Sequence, residues 1–348
     1  MNDPLWLMLL KSVVVFGLTM TLVPALVLAE RRVSAWMQYR VGPNRVGPFG
    51  ALQPLADLVK MLFKEEVRPG GVPGFLFTAA PAIAATCSLV MMAVVPLGGT
   101  LEIGERRIRL VAADVDLGVL VVLAASSIGV YGITLGGWAS NSKYSLLGGL
   151  RSSAQMISYE LTLALALLGV LLLGADGTGL GSFSLSDMVA RQAESGVWNV
   201  FRAPLAFLLF TTAAFAETNR LPFDLPEAEP ELVGGYHTEY SAMRFGLFFL
   251  GEYAAMVAGS AVIVCLFLGG WHLPYVTPSE VVGVGGAALQ AAVFLAKLLA
   301  FLFFFIHVRW TLPRFRYDQL MRLGWTVLLP LALANLLVTG GLVAAGIL

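Results

Sequence analysis

Residues 245–268 read FGLFFLGEYAAMVAGSAVIVCLFL and contain a single charged residue, Glu252. A helix of about 20 apolar residues crosses the hydrocarbon core of a bilayer, so this stretch predicts a transmembrane helix. The rest of the chain agrees, because 58% of the 348 residues are hydrophobic and only 13% are charged. A soluble domain carries about 25% charged residues. We therefore expect lipid, rather than water, to cover much of the surface.

Eight stretches have the length and composition of a transmembrane span. Each is expected to be a helix, because backbone groups cannot stay unpaired in lipid. The predicted fold class is an all-α integral membrane protein, a bundle of about eight transmembrane helices in one polytopic domain over residues 1–348. The first span lacks the basic flank and cleavage site of a signal peptide, so we expect it to be retained. The predicted spans are 5–29, 75–97, 115–135, 155–175, 200–218, 245–268, 285–308 and 323–346.

The distribution of lysine and arginine predicts which side of the membrane each loop faces. With eight spans, the odd-numbered loops share one side and hold 15 basic residues, whereas the even-numbered loops hold 5. Basic residues mark cytoplasmic loops. We expect the odd loops to face the cytoplasm (or the mitochondrial matrix) and both termini to face the other side. In the even loops, residues 101–110 predict a short hairpin and residues 184–198 a short surface helix, without an assigned function.

The first odd loop, residues 30–74, is long for a connector. Two Gly-Pro pairs, at 42–43 and 47–48, predict a rigid turn. Residues 52–64 then alternate apolar and polar side chains at helical spacing, which predicts an amphipathic helix lying at the membrane surface. The pattern leaves two interpretations open, a plain anchoring helix and a helix whose polar face meets a partner.

The acidic loop between spans five and six, residues 217–244, is also unusual. Residues 217–231 contain five acids and one arginine, and three prolines exclude a regular helix. A solvated charge run is one interpretation. The stiffness of the loop and the acids in the neighbouring spans favour a functional one.

Glu160, Glu217 and Glu252 lie inside or at the ends of predicted spans. At 1.5 Å per residue, Glu252 lies about 12 Å beyond Arg244. Ionisable groups at the centre of a span cost about 2.5–3.5 kcal/mol on insertion scales and usually face a bundle interior or a water-filled path. We expect these acids and those of the acidic loop to line one polar funnel. Structural pairing, for example with Lys297 in span seven, is the alternative.

Motifs for independent catalysis are missing from the sequence. It has no glycine-rich nucleotide loop, no Ser/His/Asp set and no metal-ligand spacing among its two cysteines and three histidines. The chain alone is therefore not expected to hold a complete catalytic site or a metal. The seventh loop, residues 309–318, is basic, which fits either ordinary membrane topology or a docking surface for a soluble partner.

Four long motifs carry a resemblance to a known family. They are ERR at 30–32, QYRVGPNRVGPFGALQPLADLVK at 38–60, ETNRLPFDLPEAEPELVGGYHTEYSAMRFGLFF at 217–249 and RYDQLMRLGW at 316–325. The chain resembles, along nearly its whole length, the NuoH-type membrane subunit of respiratory complex I, the proton-pumping NADH:quinone oxidoreductase. The resemblance implies an eight-helix bundle in a bacterial inner (plasma) membrane or a mitochondrial inner membrane.

The resemblance also implies a role. In this family, the NuoH-type chain forms the membrane-side entrance and floor of a quinone chamber and an acidic path that couples quinone reduction to proton pumping. Quinone is the substrate, and this chain itself binds no cofactor, because NADH, FMN and Fe–S clusters belong to partner subunits. The implied partners are the quinone-site and Fe–S subunits of the hydrophilic arm, the small membrane subunits of the pump arm and the lipid bilayer, with no nucleic acid.

Residue by residue, the resemblance implies three sets. The quinone-binding set is Arg31, Gln38, Arg40, Asp57 and Lys60. The proton-coupling path is Glu30, Glu160, Glu217, Glu227, Glu229, Glu231 and Glu252. The loop-supporting set is Arg220, Asp224, His237 and Tyr240. Ser126 and Ser127 stand where some relatives are expected to carry an acid, which puts one branch of the path in doubt.

Three other functions fit parts of the sequence. A proton-coupled secondary transporter suits the acids within spans, but such transporters usually show paired repeats and broken helices. A passive membrane anchor for a soluble dehydrogenase predicts that the loop acids matter only for assembly. A related membrane-bound hydrogenase uses a similar subunit without quinone chemistry.

Overall fold

The computed structural model describes residues 4–104, 106–174, 181–226, 229–274 and 281–346. Within these ranges the chain is predominantly helical, which confirms the predicted fold class. The helices are α1 Leu5–Met37, α2 Gln53–Phe63, α3 Gly74–Ala93, α4 Gly118–Ala139, α5 Lys143–Leu173, α6 Leu185–Ser195, α7 Asn199–Arg202, α8 Pro204–Glu217, α9 Glu229–Leu232, α10 Ala242–Phe267, α11 Val284–Thr311, α12 Tyr317–Arg322 and α13 Leu329–Ala344. A π-helical turn, Leu323–Leu328, joins α12 to α13.

Seven helices of the described ranges are long and apolar enough to cross a membrane, counting Tyr317–Ala344 as one. The fifth expected span differs, because two helices occupy residues 200–218. Ala203 separates α7 from α8 with a non-helical backbone (φ −134°, ψ 63°), as the residue before a proline tends to do. The 14 residues of α8 extend about 21 Å, less than the roughly 30 Å hydrocarbon core. This span is therefore a helix shorter than a full crossing, and its second half is mostly buried in the bundle.

The first helix also differs from its predicted bounds. α1 continues to Met37, well past the predicted end at residue 29. Glu30, Val33 and Ser34 are buried, whereas Arg31 is exposed. The last turns of α1 thus have one inward face, so the ERR motif lies on a helix rather than in a loop.

Small elements cover the two ends of the bundle. At the end of the even loops, β1 (Thr100–Ile103) pairs antiparallel with β2 (Arg106–Arg109), which confirms the hairpin predicted at 101–110. The strand β3, Val281–Val282, pairs parallel with β1. At the other end, α2 exposes the apolar side chains of Leu55, Leu62 and other residues, as expected of a helix at a membrane surface.

α5 and α10 form the centre of the bundle. In the most apolar 18-residue stretch of each helix, 61% of the residues of α5 and 67% of those of α10 are buried, against 22% in α1. Glycines let their neighbours approach closely. A Cβ atom on Gly137 of α4 would lie 2.5 Å from the carbonyl oxygen of Ser145 and 3.1 Å from the Cα atom of Gly149. Close backbone contact at small residues is a common basis of helix association in membranes.

Gly137→Ala is therefore expected to lower the thermal stability of the protein by about 1–3 kcal/mol, because backbone atoms cannot yield as flexible side chains do. Gly17→Ala is the matched control, since no atom lies within 4 Å of its added Cβ. Alanine favours helices by about 1 kcal/mol over glycine, so the control should be neutral or stabilising. Thermal unfolding in detergent measures both, and equal midpoints would contradict this packing argument.

Candidate functional site

The structure brings the first, fifth and seventh loops together around a cavity of about 390 Å³. It lies between the ends of α1, α10 and α11, and Arg220, Tyr236 and His237 of the acidic loop also line it. Charged and aromatic side chains share its wall. They include Glu30, Arg31, Arg40, Arg220, Tyr236, His237, Phe248, Glu252, Tyr253 and Arg309.

Arg220 lies at the centre of this wall, with a side chain that is only 6% exposed. Its Nη1 atom lies 2.9 Å from Oε2 of Glu30, and its Nε atom lies 2.5 Å from Oε1 of Glu252. The guanidinium also lies over the ring of Tyr253, 4.1 Å from the centroid. One buried cation is thus shared by a carboxylate of α1 and a carboxylate of α10.

The remaining partners of Glu30 complete the charge balance. The Tyr253 hydroxyl donates a hydrogen bond of 2.7 Å to Oε2 of Glu30, and Arg309 of α11 forms an ion pair with Oε1. Burial disfavours the charged form of Arg220, but Glu252, Tyr253 and Glu30 outweigh it, so the pKa of Arg220 lies well above its usual value. Two arginines therefore face two glutamates within one buried cluster.

Two further groups of the acidic loop have shifted pKa values. Burial raises the pKa of Asp224, although Arg314 opposes the shift through a 2.8 Å contact. Burial lowers the pKa of His237 to about 4, so this imidazole is neutral at pH 7. His237 consequently contributes polarity, rather than charge, to the cavity wall.

A second, smaller cavity of about 60 Å³ lies deeper in the bundle. Tyr236, Phe248 and Glu252 line both cavities, and Glu217 lines the deeper one. The Ser126 hydroxyl is a hydrogen-bonding partner of Glu217.

The Ser127 hydroxyl donates a hydrogen bond to the third acid of the spans, Glu160. The serines of α4 thus contact both inner acids, Glu217 and Glu160. Glu30 and Glu252 thus share Arg220, and Glu252 and Glu217 line the same smaller cavity. The expectation that relatives carry an acid at 126–127 stays a prediction.

The residues expected to bind quinone divide into two groups. Arg31 and Arg40 line the larger cavity. Asp57 forms a 2.7 Å ion pair with Arg31, and Gln38 accepts a 2.7 Å hydrogen bond from Arg40. Lys60 is exposed on α2 and is not among the cavity-lining residues.

Of the predicted path acids in the acidic loop beyond Asp224, Glu231 is the one whose side chain lies in the described part of the chain. Glu231 is exposed and pairs with Arg151 of α5 at 2.6 Å. Glu227 and the side chain of Glu229 lie outside the described residues. Tyr240 stacks on Phe77 with ring centroids 4.1 Å apart and packs edge-on against Phe248. Tyr240 thus supports Phe248, which lines both cavities.

The proposed pairing of Lys297 with a buried acid is wrong. Its ammonium donates hydrogen bonds of 2.6, 3.0 and 2.6 Å to the carbonyls of Leu268, Gly270 and His272, just beyond the end of α10. These carbonyls lack helical partners, which explains why they attract the cation. Glu252 pairs with Arg220 instead.

Sequence reasoning missed three members of the site. The sequence suggested that Arg309 and Arg314 set the membrane topology or form a docking surface. In the structure, Arg309 contacts Glu30 and Arg314 contacts Asp224. Tyr253 gave a weak signal, its position beside Glu252 inside an apolar span. A polar hydroxyl at that depth requires a partner, and Glu30 is that partner.

Comparisons with known proteins agree with this architecture. The model of the NADH dehydrogenase family matches residues 10–340. An NADH-quinone oxidoreductase subunit of Geobacter metallireducens is 53% identical over 332 residues, which cover 95% of each chain. NADH-quinone oxidoreductase subunit 8 of Rhodothermus marinus is 48% identical over 357 residues, covering 100% of this chain and 99% of the relative. The chain therefore belongs to the NADH dehydrogenase family, as a multi-pass, NuoH-type membrane subunit of NADH-quinone oxidoreductase.

Proposed function

We propose that this chain forms the membrane-side entrance and floor of a quinone-binding chamber, and that its buried acids couple quinone reduction to proton pumping. The observation that carries the proposal is the position of Glu252, which lines both the larger cavity and the deeper one. A change of charge in the first cavity is therefore sensed at a carboxylate that also faces the second.

The quinone enters from the bilayer between the apolar surfaces of the helices. Its headgroup then contacts Arg31 and Arg40 at the larger cavity. Both side chains are exposed, and each is held by a neighbour, Asp57 or Gln38. Reduction of the headgroup adds negative charge or withdraws protons. Nearby charge changes the relative stability of the charged and neutral forms of an acid. The cluster around Arg220 is the first group of buried charges to respond.

The response then passes inward. Protonation of Glu252 removes its negative charge and weakens its attraction to Arg220. Arg220 then forms its ion pair with Glu30 alone. A proton shift at Glu252 alters the field at Glu217, which lines the same deeper cavity. Glu217 and Glu160 interact electrostatically, so the change reaches α5. From there it passes to neighbouring pump subunits of the membrane arm.

Other subunits of the oxidoreductase are partners of this chain. We assign NADH, FMN and the Fe–S clusters to those subunits, with the quinone-site subunit covering the larger cavity. The 15-to-5 excess of basic residues in the odd loops supports a cytoplasmic or matrix position for this cavity.

Photo-crosslinking with a quinone analogue in the assembled complex tests the chamber. We expect labels around Arg31 and along α2, at residues 53–63, and we expect excess unlabelled quinone to compete them away. Labels confined to the opposite end, for example the β1–β2 hairpin, would contradict the assignment. An analogue that carries the isoprenoid tail without the headgroup is the control for lipid-like partitioning.

A further inference from the structure

The turn 218–224 carries Arg220 and Asp224 and directly follows Glu217, yet it has no regular helical structure. Asn219 has a positive φ of 51°, and Phe223 donates its N–H to the carbonyl of Arg220 at 2.7 Å. A segment of this kind holds its side chains in place only if other groups fix its backbone.

Gln155 of α5 is one such group. Its side chain is fully buried, and its Nε2 atom donates to the carbonyl of Ala216 at 2.7 Å and to the carbonyl of Phe223 at 2.9 Å. The same nitrogen lies 3.2 Å from Oδ1 of Asn219. A single amide thus contacts Ala216 just before the turn, Asn219 near its start and Phe223 near its end.

Each of these acceptors is adjacent in sequence to a charged residue of the site. Ala216 precedes Glu217, and Asn219 precedes Arg220. Phe223 precedes Asp224. Fixing the three acceptors against α5 consequently fixes the directions from which the three charged side chains leave the backbone.

Neighbouring contacts make this arrangement specific. Ser152, one turn earlier on α5 and also fully buried, donates to Oδ1 of Asn219 at 3.3 Å. The ring of Phe223 packs edge-on against Tyr159 of the same helix, 5.4 Å between centroids. The inner acid Glu160 lies on α5 as well, so the helix that holds the turn also carries the next acid along the path.

We infer that Gln155 is a positioning residue of the coupling path, which sets the geometry of Glu217 and Arg220 relative to Glu160. This inference rests on the proposed function of those acids. Gln155 itself carries no proton and touches no substrate. It acts through the turn, because charge coupling between carboxylates depends on their separation.

Gln155→Leu tests the inference in the assembled complex, reconstituted in liposomes. Leucine has a similar size but donates no hydrogen bond. We expect turnover with quinone, per assembled complex, to fall about tenfold or more, with the quinone KM changed by less than about twofold. Protons moved per electron should also fall, while NADH oxidation by ferricyanide, which bypasses quinone, should be unchanged.

Ser153→Ala is the matched control, because the Ser153 hydroxyl bonds carbonyls of its own helix. Native turnover and a native proton-to-electron ratio in Gln155→Leu would overturn the inference. If that variant does not assemble, Asn219→Gly decides by the same criteria, since glycine tolerates the positive φ. Failure of both variants to assemble would also overturn it, because the contact would then be structural.

Glu217→Gln, measured in parallel, separates this inference from the proposed function. A loss in Glu217→Gln together with native behaviour in Gln155→Leu rejects the positioning role alone. Native behaviour in both Glu217→Gln and Glu252→Gln rejects the coupling path itself.

Discussion

Replacing Arg220 with methionine is expected to remove nearly all quinone-reductase activity and to destabilise the assembled complex. The guanidinium is buried and serves Glu30 and Glu252 together, at 2.9 and 2.5 Å. Removing one partner of a buried ion pair costs about 3–5 kcal/mol, and here Glu252 loses its contact with Arg220 whereas Glu30 keeps Arg309. Turnover per assembled complex and the thermal unfolding midpoint measure the two effects.

Two control variants separate the effect of charge from that of geometry, and the effect of a buried ion pair from that of an exposed one. Arg220→Lys keeps the charge but lacks the planar fork that contacts two carboxylates, so we expect an intermediate loss. Arg107→Met removes an exposed pair with Glu102 on the hairpin at the other end, and should change little. Native turnover and stability in Arg220→Met would show that the buried cluster does not organise the site.

Replacing Glu252 with glutamine is expected to lower coupled turnover at least about tenfold, as the loss of a proton-transferring group commonly does. The side chain keeps its size, so both cavities keep their shape. Quinone binding should survive in part, because Arg31 and Arg40 remain at the larger cavity. Turnover and the yield of quinone photo-crosslinking, measured on the same preparation, separate binding from coupling.

Glu194→Gln is the control for Glu252→Gln, since Glu194 is an exposed acid of α6. Equal turnover in both variants would contradict a role for Glu252. Loss of crosslinking in Glu252→Gln in proportion to turnover would instead place this carboxylate in quinone binding.

Apolar composition and the length of apolar stretches predicted most of the fold. Where a span carried almost no charge, as in 245–268, the structure has a helix close to the expected bounds. The short α8 was harder to predict, because hydropathy does not register a backbone break ahead of Pro204. The extension of α1 was missed because a run of charged residues, Glu30 to Arg32, reads as a loop when their partners are unknown.

The site was predictable where one residue type was informative by itself. A glutamate inside an apolar span, such as Glu252, predicts that a buried partner exists, although that partner can lie anywhere in the sequence. The partner's identity depends on tertiary packing. Arg220 and Arg309 are separated from Glu30 by 190 and 279 positions, so no local pattern links them. The three-way contact of Gln155 is invisible in sequence for the same reason.

The most direct test of the coupling path is the number of protons moved per electron in liposomes that contain the assembled complex with Glu217→Gln. Glu217 lines the smaller cavity and not the larger one, whereas Glu252 lines both. We predict a lower ratio than in the native complex, while quinone photo-crosslinking near Arg31 survives. Unchanged turnover and an unchanged ratio, in both Glu217→Gln and Glu252→Gln, would contradict it.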